Sequence, residues 1–173
     1  MDRRPTSRPF PPGSPLAALL DGPVRPGRVV WIGLRTARRG LVQAVAHAVL
    51  LEGHGLEGDR YAGGSGAGAR QVTLIAAEHL AAIGGFLGRA GVPPELLRRN
   101  VVVEGVNLLA LKGRRFRLGA TSLECTGECH PCSRMEEELG PGGYNAVRGH
   151  GGITARVLAP GEVRRGDALE RLD

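Results

Sequence analysis

RRFRLGATSLECTGECHPCSRMEEELG, residues 114–140, is the stretch from which the fold and the chemistry of this chain are both read. Arg114–Leu118 and Ser122–Cys125 read as two short strands on either side of a glycine turn. Three thiols then fall within eight residues, at Cys125, Cys129 and Cys132, and the chain has no other cysteine. His130-Pro131 reads as an N-cap region, and SRMEEELG continues as a short helix ending at Gly140. Short strands, tight turns and one short helix predict a β-rich body.

The same texture runs outward in both directions. VVWIGLR (29–35) reads as a strand, and Leu41–Leu51 as one or two more. QVTLI (71–75) is a further strand, followed by a helix from about Ala76 to Leu87 with Glu78 near its start. Val101–Glu104, Ile153–Leu158 and Val163–Leu172 complete the strand candidates. Composition agrees: 28 glycines and 12 prolines among 173 residues favour many short elements over a helical bundle. The length suits one domain with a single core. The expected fold is therefore mainly β, a barrel-like closed sheet of short strands with two or three helices. Residues 1–28 hold seven of the prolines mixed with arginine and serine, and read as a flexible tail before a single domain spanning 29–173.

Charge narrows the partners. The net charge is +6, and Lys112 is the only lysine among the 23 basic residues. Arginine's planar fork suits phosphate and other oxyanions, whereas Phe, Trp and Tyr together number six, few for stacking nucleic-acid bases. An anionic small molecule is expected rather than nucleic acid. The apolar run Leu16–Leu20 is too short for a signal-peptide core or a membrane span, so no membrane association is expected. An odd number of clustered cysteines is a poor disulfide framework, which points to a reducing cytoplasm.

Four roles compete for the thiols. The spacing Cys125-x3-Cys129-x2-Cys132 matches that of radical enzymes holding a four-iron cluster, but only 41 residues follow Cys132, too few for the barrel those enzymes build. Structural zinc needs a fourth ligand, which His130 or His150 could supply, but the usual second ligand pair is missing. The Cys-x-x-Cys pair resembles a redox dithiol, although it sits late in a β-rich chain. The remaining role is one activated sulfur. With Pro131 as first helical residue, Cys132 would lie in the first turn, where exposed N–H groups favour a thiolate. Arg134 and His130 would add positive potential, Glu128 and Glu136 would oppose it, and Cys125 reads as a silent buried thiol.

Around these thiols the chain carries candidate anion binders. Seven glycines fall between Gly53 and Gly68, with Arg60 and Arg70 at the ends of the loop, able to hold an anion between two forks. Arg38-Arg39 and Arg98-Arg99 read singly as solvated charges, and Asn100 as a turn cap. GYNAVRGHGGITARV (143–157) places His150 in a glycine-flanked loop. Glycine loop, arginines and thiol at strand ends would converge on a barrel's mouth.

GLEGDR (55–60), ARQVTLI (69–75), RRNVVVEG (98–105) and CHPCSRMEEELGPGGYNAVRGHGGITARV (129–157) together resemble the MOSC family, named for the C-terminal domain of molybdenum cofactor sulfurase. The likeness runs from about Val29 to the end. It implies a mostly β barrel-like domain that handles the molybdenum cofactor (molybdopterin), or sulfur destined for metal centres. The family cysteine corresponds to Cys132, which would either ligate molybdenum or bear a persulfide delivered by a cysteine desulfurase; the pyridoxal phosphate would sit on that partner. The family's anion-binding positions map onto Arg60, Arg70, Arg98 and Asn100, with Arg39 and His150 completing the candidate cofactor-binding set. Relatives that reduce N-hydroxylated compounds carry a lysine where this chain has Arg39 or Arg35, and many carry histidine in place of Tyr61. As such a reductase, the chain would need a separate electron-donor protein. Cys129 is an extra thiol that could resolve a persulfide as a disulfide.

Overall fold

The computed structural model describes residues 10–60 and 68–173. Its strands in chain order are β1 (Gly27–Leu34), β2 (Gln43–Val45), β3 (His47–Leu51), β4 (Gly55–Leu56), β5 (Val72–Ala76), β6 (Val101–Glu104), β7 (Arg115–Leu118), β8 (Thr121–Glu128), β9 (Ile153–Ala159), β10 (Gly161–Arg164) and β11 (Ala168–Arg171). The large sheet runs β11-β7-β8-β9-β5-β6-β1-β2, and β11 also pairs with β1. That last pairing closes seven strands into the expected barrel, with β2 appended to β1. Closure removes the unpaired edges that an open sheet would expose. Among the described strands only β5 and β6 run parallel, with Leu74 opposite Val101. Their crossover contains α2 (Ala77–Phe86) and α3 (Pro94–Leu97).

Alternation along the strands builds two cores. Val101 and Val103 face the barrel interior with Leu74, Phe116, Leu123 and Ile153. Val102 and Ile75 face outward and pack with Ile83, Leu97, Met135 and Val147. The last two come from α4 (Arg134–Leu139) and α5 (Gly143–Val147). β5 and β6 are therefore apolar on both faces, as expected of parallel strands covered by helices. A small second sheet, β10-β3-β4, adds Leu50, Leu56 and Val163 to the barrel core.

Three local expectations change. Val163–Leu172 is two strands, because Asp167 Oδ2 accepts the Arg164 N–H (2.8 Å) and folds a turn between β10 and β11. β11 is thereby free to close the barrel. The helix after the thiols begins at Arg134, and its N-cap Ser133 makes no side-chain bond. Cys129 N–H is held by Gly152 O (2.8 Å), so the chain stays against β9 and then needs residues 130–133 to turn. Cys132 thus precedes the helix. Finally, within the expected tail, Pro15–Leu20 form a helix, α1, capped by Ser14 Oγ, and Asp21 behind it pairs with Arg114.

Among the described residues no helix is long and apolar enough to cross a membrane.

Candidate functional site

The chain around the thiols is pinned by backbone pairing before any side chain acts. β8 carries a bulge between Cys125 and Gly127. Thr126, at that bulge, donates its hydroxyl to Ala69 O and also meets Thr154 Oγ1. This draws the segment before β5 across the end of β8, in line with the use of bulges to re-aim strands next to sites. Arg70, the next residue, reaches Cys129 and donates from Nη2 to its Sγ at 3.5 Å.

The three thiols then separate by environment. Cys125 is 1% exposed inside the barrel's apolar core, and burial pushes its thiol above the usual range. Cys129 is also buried, yet belongs to neither apolar cluster. It lines a small cleft with Glu128, His130, His79, Gly151 and Gly152. Cys132 is exposed to solvent.

Arg99 is the organiser of this region. Its side chain is buried, with Nε on Gly151 O (2.8 Å), Nη1 on Leu97 O (2.6 Å) and Nη2 on Cys129 O (3.5 Å). These bonds tie the end of α3, the cysteine turn and the loop before β9 together. Burial lowers the pKa of Arg99; Cys129 and Cys132 oppose that shift, and Arg70 and Arg98 add to it. Two thiols and three guanidinium groups therefore share one electrostatic neighbourhood. No ion pair links Arg99 to a carboxylate among the described residues. A buried cation without such a counter-ion is costly, and here three carbonyl acceptors offset part of that cost.

Asp59 and Asn100 brace the site from the other side. Asn100 Oδ1 accepts from Thr73 N–H (3.1 Å) and Thr73 Oγ1 (3.0 Å), and its Nδ2 donates to Asp59 Oδ2 (3.3 Å). The same carboxylate oxygen accepts the Arg35 N–H at 3.0 Å. Buried Asn100 thus locks the turn before β6 to the end of β1. Arg60 follows Asp59 in sequence, is exposed, and donates its N–H to Arg35 O (2.7 Å).

The candidate residues fall into groups. Arg70 and Arg98 share the field of Arg99 with Cys132. Arg60 and Asn100 join through Asp59 and Arg35. Arg39 is exposed in a turn closed by Gly40 N–H on Ala37 O. Arg39 and Arg98 are also the two non-glycine residues in the left-handed region among the described residues, with φ of 60° and 57°. Such strain collects at binding sites. His150 stands apart from the arginines in its contacts: its ring meets His79 edge-on at 5.0 Å and Phe86 at 5.2 Å. Burial, and then the charge of His150, lower the pKa of His79.

The supporting charges also differ from expectation. Arg134 is paired with Glu137 (3.3 Å) and Glu138 (3.1 Å), so its charge is taken up within its own helix. Glu128 is held below the usual carboxylate range by its bond from Lys112. Glu136 accepts the N–H groups of Tyr144 (2.9 Å) and Gly142 (2.8 Å) and braces α4 against α5. Among the described residues, no group of three or more His, Cys, Asp or Glu comes together as metal ligands. Tyr61 lies outside the described residues. Sequence reading took Arg99 for a solvated charge, whereas its side chain is buried under three carbonyls, and it passed over Asp59. RRN and GLEGDR contain both, but nothing local separates the buried arginine from its exposed neighbour.

The MOSC domain profile matches residues 58–170. Among solved structures, the YuaD protein from Bacillus subtilis superposes with a TM-score of 0.76 at 22% identity, covering 86% of this chain and 97% of that one. YiiM from Geobacillus stearothermophilus gives 0.67 at 17% identity over 85% and 75% of the two chains. YiiM from Escherichia coli gives 0.64 at 21% identity over 84% and 70%. At these identities the likenesses establish the fold. No curated protein sequence matches the chain.

Proposed function

This chain belongs to the MOSC domain family, and on that premise we propose that it carries sulfur as a persulfide on Cys132 for metal–sulfur centre assembly, in a cation-lined site that also accepts the anionic molybdenum cofactor. One observation carries the reading: the exposed Cys132 follows, three residues on, the Cys129 carbonyl held by Arg99, a buried guanidinium with no carboxylate partner among the described residues. A sulfur anion or phosphate oxyanion would supply the missing negative charge.

The roles follow from placement. Exposure lets a protein donor, expected to be a pyridoxal-phosphate cysteine desulfurase, bring its persulfide to Cys132. The Cys132 thiolate attacks the outer sulfur, the donor's own thiolate leaves, and no net oxidation occurs. Arg99 and Arg70 stabilise the sulfur anion.

The residues present also fit the cofactor. Cys132 offers one thiolate to molybdenum, and Arg70, Arg98 and Arg60 offer forks to phosphate; Asn100 acts by holding Thr73 and Asp59 in place. When bound, the cofactor would supply a two-electron centre able to transfer an oxygen atom.

Incubation with a desulfurase, cysteine and pyridoxal phosphate is expected to add one sulfur at Cys132 by peptide mass spectrometry, and none to Cys132→Ser. Metal and pterin analysis of protein from a molybdenum-competent host is expected to find the cofactor. An unmodified Cys132, together with no molybdenum or pterin, would defeat the proposal. Turnover of an N-hydroxylated compound with an added electron donor, lost in Cys132→Ala, would move the assignment to a reductase.

A further inference from the structure

We infer that Cys129 is a resolving thiol for Cys132: it discharges sulfur carried there as hydrosulfide, closing a Cys129–Cys132 disulfide that an external dithiol reopens. The inference rests on the reading of Cys132 as a sulfur carrier and adds a release step to it.

Cys129 and Cys125 are equally hidden, yet built for different purposes. Cys125 is packed among valines and leucines, and burial raises its pKa. Cys129 accepts a hydrogen bond from the Arg70 guanidinium at 3.5 Å and borders a cleft whose lining mixes Glu128, His79, His130 and glycines with Leu108 and Leu109. A silent core thiol needs no charged donor. Arg70 donates to the Cys129 sulfur, and Arg99 donates to the carbonyl of the same residue. The turn joining them, residues 130–133, lies between β8 and α4 and contains no helix or strand. A two-residue spacing within such a turn is compatible with disulfide geometry.

Burial sets the order of events. Cys132 is exposed and takes sulfur from outside, whereas Cys129 is 3% exposed and is reached most readily from within the chain. In the release step the Cys129 thiolate attacks Sγ of the Cys132 persulfide. The bond between that Sγ and the outer sulfur breaks, and its electron pair leaves with the outer sulfur as hydrosulfide. Cys129 and Cys132 end as a disulfide, and the outer sulfur has been reduced by two electrons. An external dithiol, itself oxidised to a disulfide, restores both thiols by exchange.

The test loads the full chain with inorganic polysulfide, removes the excess, and follows hydrosulfide release and intact mass without reductant. The wild type is expected to release hydrosulfide and finish two hydrogens lighter than the reduced chain. Cys129→Ser should keep its added sulfur on Cys132 and release hydrosulfide slower by on the order of a hundredfold, the advantage of an intramolecular attack. Equal release from Cys129→Ser and wild type would overturn the inference while leaving the carrier intact. Failure of Cys132 to gain sulfur in either protein would instead overturn the carrier reading, and the release step with it. A second measurement does not depend on how the variant folds: mild diamide oxidation of the wild type should give a Cys129–Cys132 cross-link by peptide mapping. Its absence would also refute the pairing.

Discussion

Replacing Gly152 by alanine should loosen the cysteine turn, and Gly149 provides an internal control. Both glycines hold left-handed backbone, with φ of 84° and 78°. A side chain in that region costs about 1–2 kcal/mol. At Gly149 a methyl group would meet nothing within 4 Å, so that backbone term is the whole expected effect. At Gly152 it would lie 2.9 Å from Ile75 Cα and overlap the Leu74 carbonyl oxygen, which are backbone atoms of β5 that no rotamer change can move. Forcing such an overlap adds about 1–3 kcal/mol. Gly152→Ala should therefore lose about 2–5 kcal/mol in all. With a urea m-value of about 2 kcal/mol/M, the two variants should differ in midpoint by about 0.5–1.5 M. Because Gly152 O holds the Cys129 N–H, the displaced backbone should also expose Cys129 to alkylation in the native state. Urea titration followed by circular dichroism, with mass-resolved alkylation in parallel, checks both effects. Equal midpoints for the two variants would refute the claim that the loop is pressed against β5.

Arg99→Met removes the donor for the Leu97 and Gly151 carbonyls; each buried acceptor left unpaired costs about 1–3 kcal/mol, part of which is recovered by no longer burying a charge. The expected net loss is about 1–3 kcal/mol, together with slower iodoacetamide labelling of Cys132, read by urea titration and intact mass. In the wild type, labelling should reach Cys132 first and Cys125 last, since Cys132 is exposed and Cys125 is 1% exposed; peptide mapping over time checks the order. His79 should make stability pH-dependent. Its folded pKa lies below the ordinary 6.5, first through burial, so the unfolded chain takes up the proton first as pH falls. The corresponding stability is present above 6.5 and declines as the pH drops from there through the folded value. His79→Phe should flatten that slope in thermal melts.

Much of the barrel was legible along the chain. Val101, Val102 and Val103, and Val72 through Ala76, announce strands by side-chain type alone, and the glycine-punctuated spacing announces how short they are. What the linear pattern concealed were effects of partners distant in sequence. The stretch Val163–Leu172 reads as one strand until Asp167 is seen to cap a turn inside it. His130-Pro131 reads as a helix start until Gly152 is seen to hold Cys129 back. In the site, Cys132 and the arginines could be nominated from residue type, because thiolate and guanidinium chemistry is local to the side chain. Their division of labour could not. Arg98 and Arg99 are adjacent and chemically alike, yet one is half-buried at a strained cap and the other buried under three carbonyls.

The sequence by itself therefore determined most of the element types, the closed β barrel and the kind of chemistry available, because backbone propensity and functional-group reactivity travel with each residue; the second core under the helices was not among these. Only the tertiary structure decided which of three thiols faces water, which touches a guanidinium and which is sealed among hydrocarbon. Burial and charge proximity are properties of what strand pairing brings alongside: β8 carries Cys125 into the barrel, while its bulge and the Arg70 segment that crosses it give Cys129 a different neighbour.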